Sequence, residues 1–115
     1  MNTRVHPFPQ NKDFGPKVRH ELAAKIFDDL REMSIDGPGV SRATYGPGET
    51  AAMKYCAELA ESEGLTSHYD DAANLENELP GKDPDEPFLI CGSHLDSVPQ
   101  GGNFDGAAGV VAGLI

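Results

Sequence analysis

A glycine-rich polar segment bounded by two apolar runs is the feature that most constrains the fold of this chain. The first run, Phe88–Cys91, is short and continuous, which is typical of a strand buried on both faces. The second run, residues 106–115, reads GAAGVVAGLI and predicts a fully buried helix, in which Gly109 and Gly113 would permit close packing. A buried strand that leads through a loop into a buried helix indicates a layered α/β domain.

The upstream sequence predicts two amphipathic helices followed by β-type segments. We expect a helix from about Pro16 to a stop at Gly37–Gly39, a helix from Glu49 to Glu63, and strands within residues 65–69 and 73–79. The fold class is therefore α/β, with a mixed sheet flanked by helices. Residues 1–15 are rich in proline and asparagine without a period, and they predict an extended N-terminal arm.

Composition narrows the choice of partners and of location. Nine Lys and Arg against nineteen Asp and Glu give a net charge of −10, which argues against nucleic-acid and anionic-membrane partners. The N-terminus has no apolar signal region, and no apolar run is long enough to span a membrane. Two cysteines, Cys56 and Cys91, are too few for a disulfide framework, so we expect buried reduced thiols in a cytoplasmic protein.

The chemistry is concentrated between the two apolar runs. His94 and Asp96 are two residues apart, so in extended chain their side chains leave the same side, and Asp105 follows after a glycine-rich loop. Imidazole and carboxylate groups are ligands of Zn²⁺, Mn²⁺ and Co²⁺, and a second carboxylate can orient a ligand histidine. These chemistries assign His94 and Asp105 as metal ligands and Asp96 as the orienting member of the catalytic machinery. A hydrogen-bonded histidine without a metal role remains the alternative.

Three glycines in this segment predict a crowded site. Gly101, Gly102 and Gly106 remove side-chain bulk around the three polar residues and permit positive φ angles. Arg42, in the loop before the second helix, could meet a substrate carboxylate, although a salt bridge within the loop is the simpler interpretation.

The segments Gly92–Pro99 (GSHLDSVP) and Gly101–Val110 (GGNFDGAAGV) resemble the first metal-binding segment of the di-metal amidohydrolases. The form GGNFDG is most similar to the hydantoinase/carbamoylase branch, which contains N-carbamoyl-L-amino-acid hydrolases, allantoate amidohydrolases and β-ureidopropionases. Upstream stretches at residues 39–42, 45–47 and 71–75 are also similar to that branch. The resemblance implies a zinc-peptidase-like catalytic domain, of which residues 16–115 would be a truncated N-terminal portion.

The resemblance also implies a function. It predicts hydrolysis of linear carbamoyl or ureido C–N bonds in a small-molecule substrate. Two divalent metal ions (Zn, Mn or Co) would share Asp105 as a ligand. The full-length parent would be a homodimer. It places the general base and the remaining ligands beyond Ile115, so that the 115 residues alone would be inactive. A di-zinc dipeptidase or deacylase of the same fold, or a catalytically inactive acidic chain, are the alternatives.

Overall fold

The computed structural model describes residues 16–115, and the predicted arm at residues 1–15 lies outside them. The elements in chain order are α1 (Pro16–Glu32), β1 (Ile35–Asp36), β2 (Gly39–Val40), α2 (Pro47–Ser62), β3 (Thr66–Tyr69), β4 (Leu75–Glu78) and α3 (Ala107–Leu114). Strands β1 and β2 form one antiparallel pair, and β3 and β4 form another. The predicted α/β class is confirmed, with small antiparallel sheets flanked by helices.

Helices α1 and α2 are confirmed, although α1 ends at Glu32, before the stop predicted at Gly37–Gly39. The short strands β1 and β2, which the pattern did not predict, follow it. Pro47 occupies the first turn of α2, where the missing N–H has no intrahelical partner to lose. Gly64 follows the end of α2 with φ of +91°, the left-handed conformation expected after a helix. Within residues 16–115, no helix combines the length and the apolar character needed to cross a membrane.

The predicted hairpin is confirmed as β3 and β4. Its register pairs Thr66 with Glu78 and Tyr69 with Leu75. The Asp70 carboxylate accepts hydrogen bonds from the backbone N–H groups of Ala72 and Asn74, at 2.9 and 2.8 Å. The aspartate therefore closes the turn by replacing backbone partners, as expected of Asp at this position.

The three helices meet in one small core. α1 packs against α3, and α2 packs against the β3–β4 hairpin. The side chains that are buried together are those of Ile26, Leu30, Ala52, Cys56, Leu95, Ala107 and Val111. Leu95 contributes to this core from the polar segment itself, so the segment that carries His94 and Asp96 is anchored by burial of the residue between them.

The predicted buried strand at Phe88–Cys91 is wrong for the described chain. Phe88, Leu89 and Ile90 are 83%, 85% and 78% exposed, and residues 79–100 contain no strand of the structure. A strand buried on both faces needs partner strands on its edges. Within residues 16–115 each strand pairs with the other strand of its own hairpin, and one further bridge joins Val40 to Gly101, so no strand pairs with Phe88–Cys91. The apolar sequence of Phe88–Cys91 is suited to a buried strand, but residues 16–115 do not bury it.

Helix α3 forms as predicted, but it is not buried on every side. Ala107 and Val111 face the core, whereas Ala108, Gly109, Ala112 and Gly113 are exposed. The close packing is confirmed, because a Cβ added at Gly109 would lie 2.6 Å from the Ser93 side chain.

The two thiols have different environments. Cys56 is buried, and burial raises the pKa of its thiol to about 11, so the predicted inert core cysteine is confirmed there. Cys91 is an exposed free thiol, because it belongs to the uncovered segment. The prediction of a buried thiol is therefore wrong at Cys91.

A pair of leucine truncations tests the corrected burial. Leu30→Ala should lower the free energy of unfolding by about 2–5 kcal/mol, because Leu30 is fully buried, whereas Leu89→Ala should change it by less than about 0.5 kcal/mol. Denaturant unfolding of the 115-residue chain measures both. A comparable loss in Leu89→Ala would show that the apolar run is buried after all.

Candidate active site

The segment after the apolar run alternates between exposed and buried side chains. His94 is exposed, Leu95 is buried and Asp96 is half-buried, so the two polar residues lie on the same side of extended backbone, as their spacing predicts. Nδ1 of His94 is 3.1 Å from Oδ1 of Asp96, and the same nitrogen is 3.1 Å from the backbone oxygen of Asp96. Both acceptors favour the imidazole tautomer with its proton on Nδ1, which turns Nε2 away from Asp96.

A residue that the sequence analysis did not identify holds the other oxygen of Asp96. The hydroxyl of Thr44 donates a hydrogen bond to Oδ2 of Asp96 at 2.7 Å. This hydrogen bond is the largest cause that lowers the pKa of Asp96, and the nearby His94 lowers it further. Thr44 lies 52 positions before Asp96 and belongs to no motif, so no pattern in the sequence indicated the contact.

Arg42 is a structural connector rather than an exposed substrate contact. Its side chain is 1% exposed, and its guanidinium donates to the carbonyl oxygen of Leu95 and to the hydroxyl of Ser34. The loop salt bridge predicted for Arg42 is not found among the described residues. Nη2 of Arg42 is buried without a hydrogen-bond partner in this part of the chain.

Gly106, the residue that follows Asp105, packs against His94. A Cβ added at Gly106 would lie 2.3 Å from the backbone oxygen of His94 and 2.6 Å from its ring, and φ of Gly106 is +67°. The hydroxyl of Ser93 donates to the carbonyl oxygen of Gly106 at 2.8 Å. The peptide that follows Asp105 therefore packs directly on His94. The positive φ predicted for the glycines is found at Gly106, whereas Gly101 and Gly102 do not adopt it.

The loop between these residues is docked on α1. The side-chain amide of Asn103 donates to the carbonyl oxygen of Phe27 at 3.2 Å, and the ring of Phe104 meets that of Phe27 edge to face at 4.9 Å. Such an aromatic pair contributes about 0.5–1.5 kcal/mol beyond its buried area. Asn103 and Phe104 are thus held by helix α1, which fixes the path of the chain toward Asp105.

The donors near His94 make up a partial ligand set. Within residues 16–115, no group of three or more His, Cys, Asp or Glu side chains is gathered closely enough to hold a metal ion. The open cavity of about 410 Å³ lined by Asp29, Glu32, Met33 and Tyr55 contains none of the predicted site residues. His68 is an exposed residue paired with Glu76 at 2.9 Å.

Two glycine substitutions test the close packing on His94. Gly106→Ala should lower the free energy of unfolding by at least about 1–3 kcal/mol, from its backbone conformation alone, and should perturb the His94 signals in NMR spectra. Gly102→Ala is the matched control, because a Cβ there meets nothing within 4 Å, and it should cost less than about 0.5 kcal/mol. Equal effects would contradict the packing of the 105–106 peptide on His94.

Comparison with known proteins finds relatives of one kind. The chain is 39% identical over 98 residues to an N-carbamoyl-L-amino-acid amidohydrolase of Paenarthrobacter aurescens, a match that covers 85% of this chain and 24% of that protein. It is 35% identical over 82 residues to an allantoate amidohydrolase of Bacillus subtilis, covering 71% and 20%. The sequence matches no protein-family model.

The fold leads to the same group of proteins. A crystal structure of a hydantoinase/carbamoylase family amidase from Burkholderia phymatum superposes with a TM-score of 0.72 and 32% sequence identity, covering 82% of this chain and 22% of that one. The chain thus spans about a quarter of the length of the relatives it matches. Sequence and fold agree, and the chain belongs to the hydantoinase/carbamoylase family of amidohydrolases.

Proposed function

We propose that this chain supplies part of the catalytic domain of a metal-dependent amidohydrolase that cleaves carbamoyl or ureido C–N bonds. The observation that carries the proposal is the contact between His94 and Asp96, with the Asp105–Gly106 peptide packed on the same histidine. The proteins that the chain resembles are named as hydrolases of N-carbamoyl-L-amino acids and of allantoate. We extend that class of substrate to this chain.

The residues at the site fit a divalent cation. His94 turns Nδ1 toward Asp96, and its side chain is 53% exposed, so Nε2 is available to a ligand. A histidine whose other ring nitrogen bonds a carboxylate is the usual arrangement at protein metal sites, because the carboxylate fixes the tautomer and raises the basicity of the ring. Asp105, the residue before Gly106, would add carboxylate oxygens.

The donor types favour a borderline or hard metal. An imidazole combined with carboxylates suits Zn²⁺, Mn²⁺ or Co²⁺, and a carboxylate such as Asp105 has two oxygens, which would allow it to serve two cations. In such sites a divalent cation supplies Lewis acidity, which polarises a carbonyl group and activates water. In our proposal this chain holds the cations with His94 and Asp105, while Asp96 keeps His94 in the required tautomer.

A complete site also needs further metal ligands and a general base. His94 and Asp105 are too few to complete a metal site, and the relatives are about four times as long as the matched segment. We therefore assign the other ligands and the general base to parts of the parent that are outside these 115 residues. Residues 16–115 then form a portion of the catalytic domain.

The choice of partner follows from charge and family. A net charge of −10 disfavours nucleic acids and anionic membranes, which supports a small-molecule substrate. The homodimeric parent and the cytoplasmic location stay predictions, and the measured mass of the full-length parent tests the first of them.

Manganese binding to the 115-residue chain tests the metal ligands without any assay of activity. Paramagnetic Mn²⁺ should broaden the NMR signals of His94 and Gly106 at the lowest metal concentrations, and His94→Ala should remove that selectivity. His68→Ala is the matched control, because His68 also contacts a carboxylate but lies on the hairpin. Broadening that is centred on the acidic loop at residues 83–86, and unchanged by His94→Ala, would contradict the proposed site.

Hydrolysis by the full-length parent tests the substrate class. It should cleave N-carbamoyl-L-amino acids to the amine, ammonia and CO₂ in preference to dipeptides. His94→Ala and Asp105→Asn should lower both metal content and kcat/KM, by more than about a hundredfold, since loss of an orienting partner alone typically costs 10–100-fold. A preference for dipeptides would support the dipeptidase alternative instead.

A further inference from the structure

We propose that Thr44 is a positioning residue that orients the Asp96 carboxylate toward His94. This inference deepens the proposed function and rests on it for its metal-binding consequence, but the arrangement itself is visible in the contacts. The hydroxyl of Thr44 binds Oδ2 of Asp96 at 2.7 Å, while Oδ1 of the same carboxylate faces Nδ1 of His94 at 3.1 Å. Each carboxylate oxygen thus has one specific neighbour.

The two-sided contact restricts rotation of the carboxylate. With only His94 as a neighbour, the exposed edge of Asp96 could turn its oxygens toward water at little cost. The hydroxyl of Thr44 satisfies Oδ2 in one orientation, and that orientation leaves Oδ1 directed at the ring. A hydroxyl–carboxylate hydrogen bond is charge-assisted and therefore stronger than a bond between neutral groups.

Thr44 can have this effect because its loop is fixed to the segment that carries Asp96. The N–H of Arg42 donates to the hydroxyl of Ser97 at 2.9 Å, and the N–H of Ser97 donates to the carbonyl oxygen of Arg42 at 2.8 Å. The buried guanidinium of Arg42 adds a bond to the carbonyl oxygen of Leu95. Hydrogen bonds to Arg42 therefore hold the chain on both sides of Asp96, and Thr44 lies two residues along from that anchor.

The function of the hydroxyl is to strengthen Nε2 of His94 as a metal ligand. Both the carboxylate and the backbone oxygen of Asp96 are within 3.1 Å of Nδ1, and the backbone oxygen alone can keep the proton there. Only the carboxylate adds negative charge that raises the electron density of the ring and its strength as a ligand. Thr44 thereby affects His94 through Asp96 without touching the ligand or the substrate.

Two substitutions at Thr44 separate its hydroxyl from its shape. Thr44→Val keeps the branched shape and removes the donor, whereas Thr44→Ser keeps the donor and removes a methyl group. Thr44→Val should shift the ring ¹⁵N signals of His94 in the metal-free 115-residue chain and weaken Mn²⁺ binding by about tenfold, at the low end for partners of a ligand histidine. Thr44→Ser should restore both to wild-type values. The reverse order, Val like wild type and Ser impaired, would show a packing role and overturn the inference.

A double-mutant cycle tests whether Thr44 acts through Asp96. In an Asp96→Ala background, Thr44→Val should produce no further shift of the His94 signals, because the intermediary is gone. A full additional shift in that background would refute the inference.

If the wild-type chain shows no Mn²⁺ effect at His94, the proposed function fails, while the metal-free signals still decide the role of Thr44. If Mn²⁺ binds at His94 with equal affinity in Thr44→Val, the positioning role fails and the proposed function stands.

Discussion

The arrangement of the site depends on the buried guanidinium of Arg42. It joins the end of helix α1, through the hydroxyl of Ser34, to the carbonyl oxygen of Leu95 between the two polar residues of the site. A buried cation is costly unless its hydrogen bonds are made, and burial lowers the pKa of this guanidinium. Because Nε and Nη1 of Arg42 have fixed partners on two separate segments, the guanidinium sets the distance between those segments as well as joining them.

As a result, contacts between residues far apart in the sequence fix the geometry of the His94–Asp96 pair. His94 is exposed and Asp96 is half-buried, and a surface contact of this kind contributes little to stability by itself. Its geometry is nevertheless defined, since Leu95 is anchored in the core and Thr44 holds the far carboxylate oxygen. The stability of the fold is supplied by the helices, while the hydrogen bonds of the loop provide orientation.

The sequence predicted those features that depend on neighbours along the chain. Helical periodicity located α1 and α2, the β-type segments located the strands of the hairpin, and the two-residue spacing placed His94 and Asp96 on one side. The contacts of Arg42 and Thr44 join residues more than 50 positions apart, and they involve a carbonyl oxygen and a hydroxyl that carry no pattern. Such contacts are determined by how distant segments pack. The sequence therefore predicted a salt bridge for Arg42 and gave no indication of the contact between Thr44 and Asp96.

The error at Phe88–Cys91 has a different physical origin and is informative about the chain. A continuous apolar run is typical of a buried segment, and three consecutive apolar side chains near 80% exposure form the kind of patch that marks an interaction surface or an aggregation liability. The run leads directly into the site through Cys91, whose sulfur packs near Gly113 of α3, so whatever covers the run also bears on His94 three residues later. Covering it would remove water from one side of the site and strengthen the electrostatic interactions of the His94–Asp96 pair. The polarity of the site therefore depends on Phe88–Cys91, the segment whose burial the sequence predicted and these 115 residues do not show.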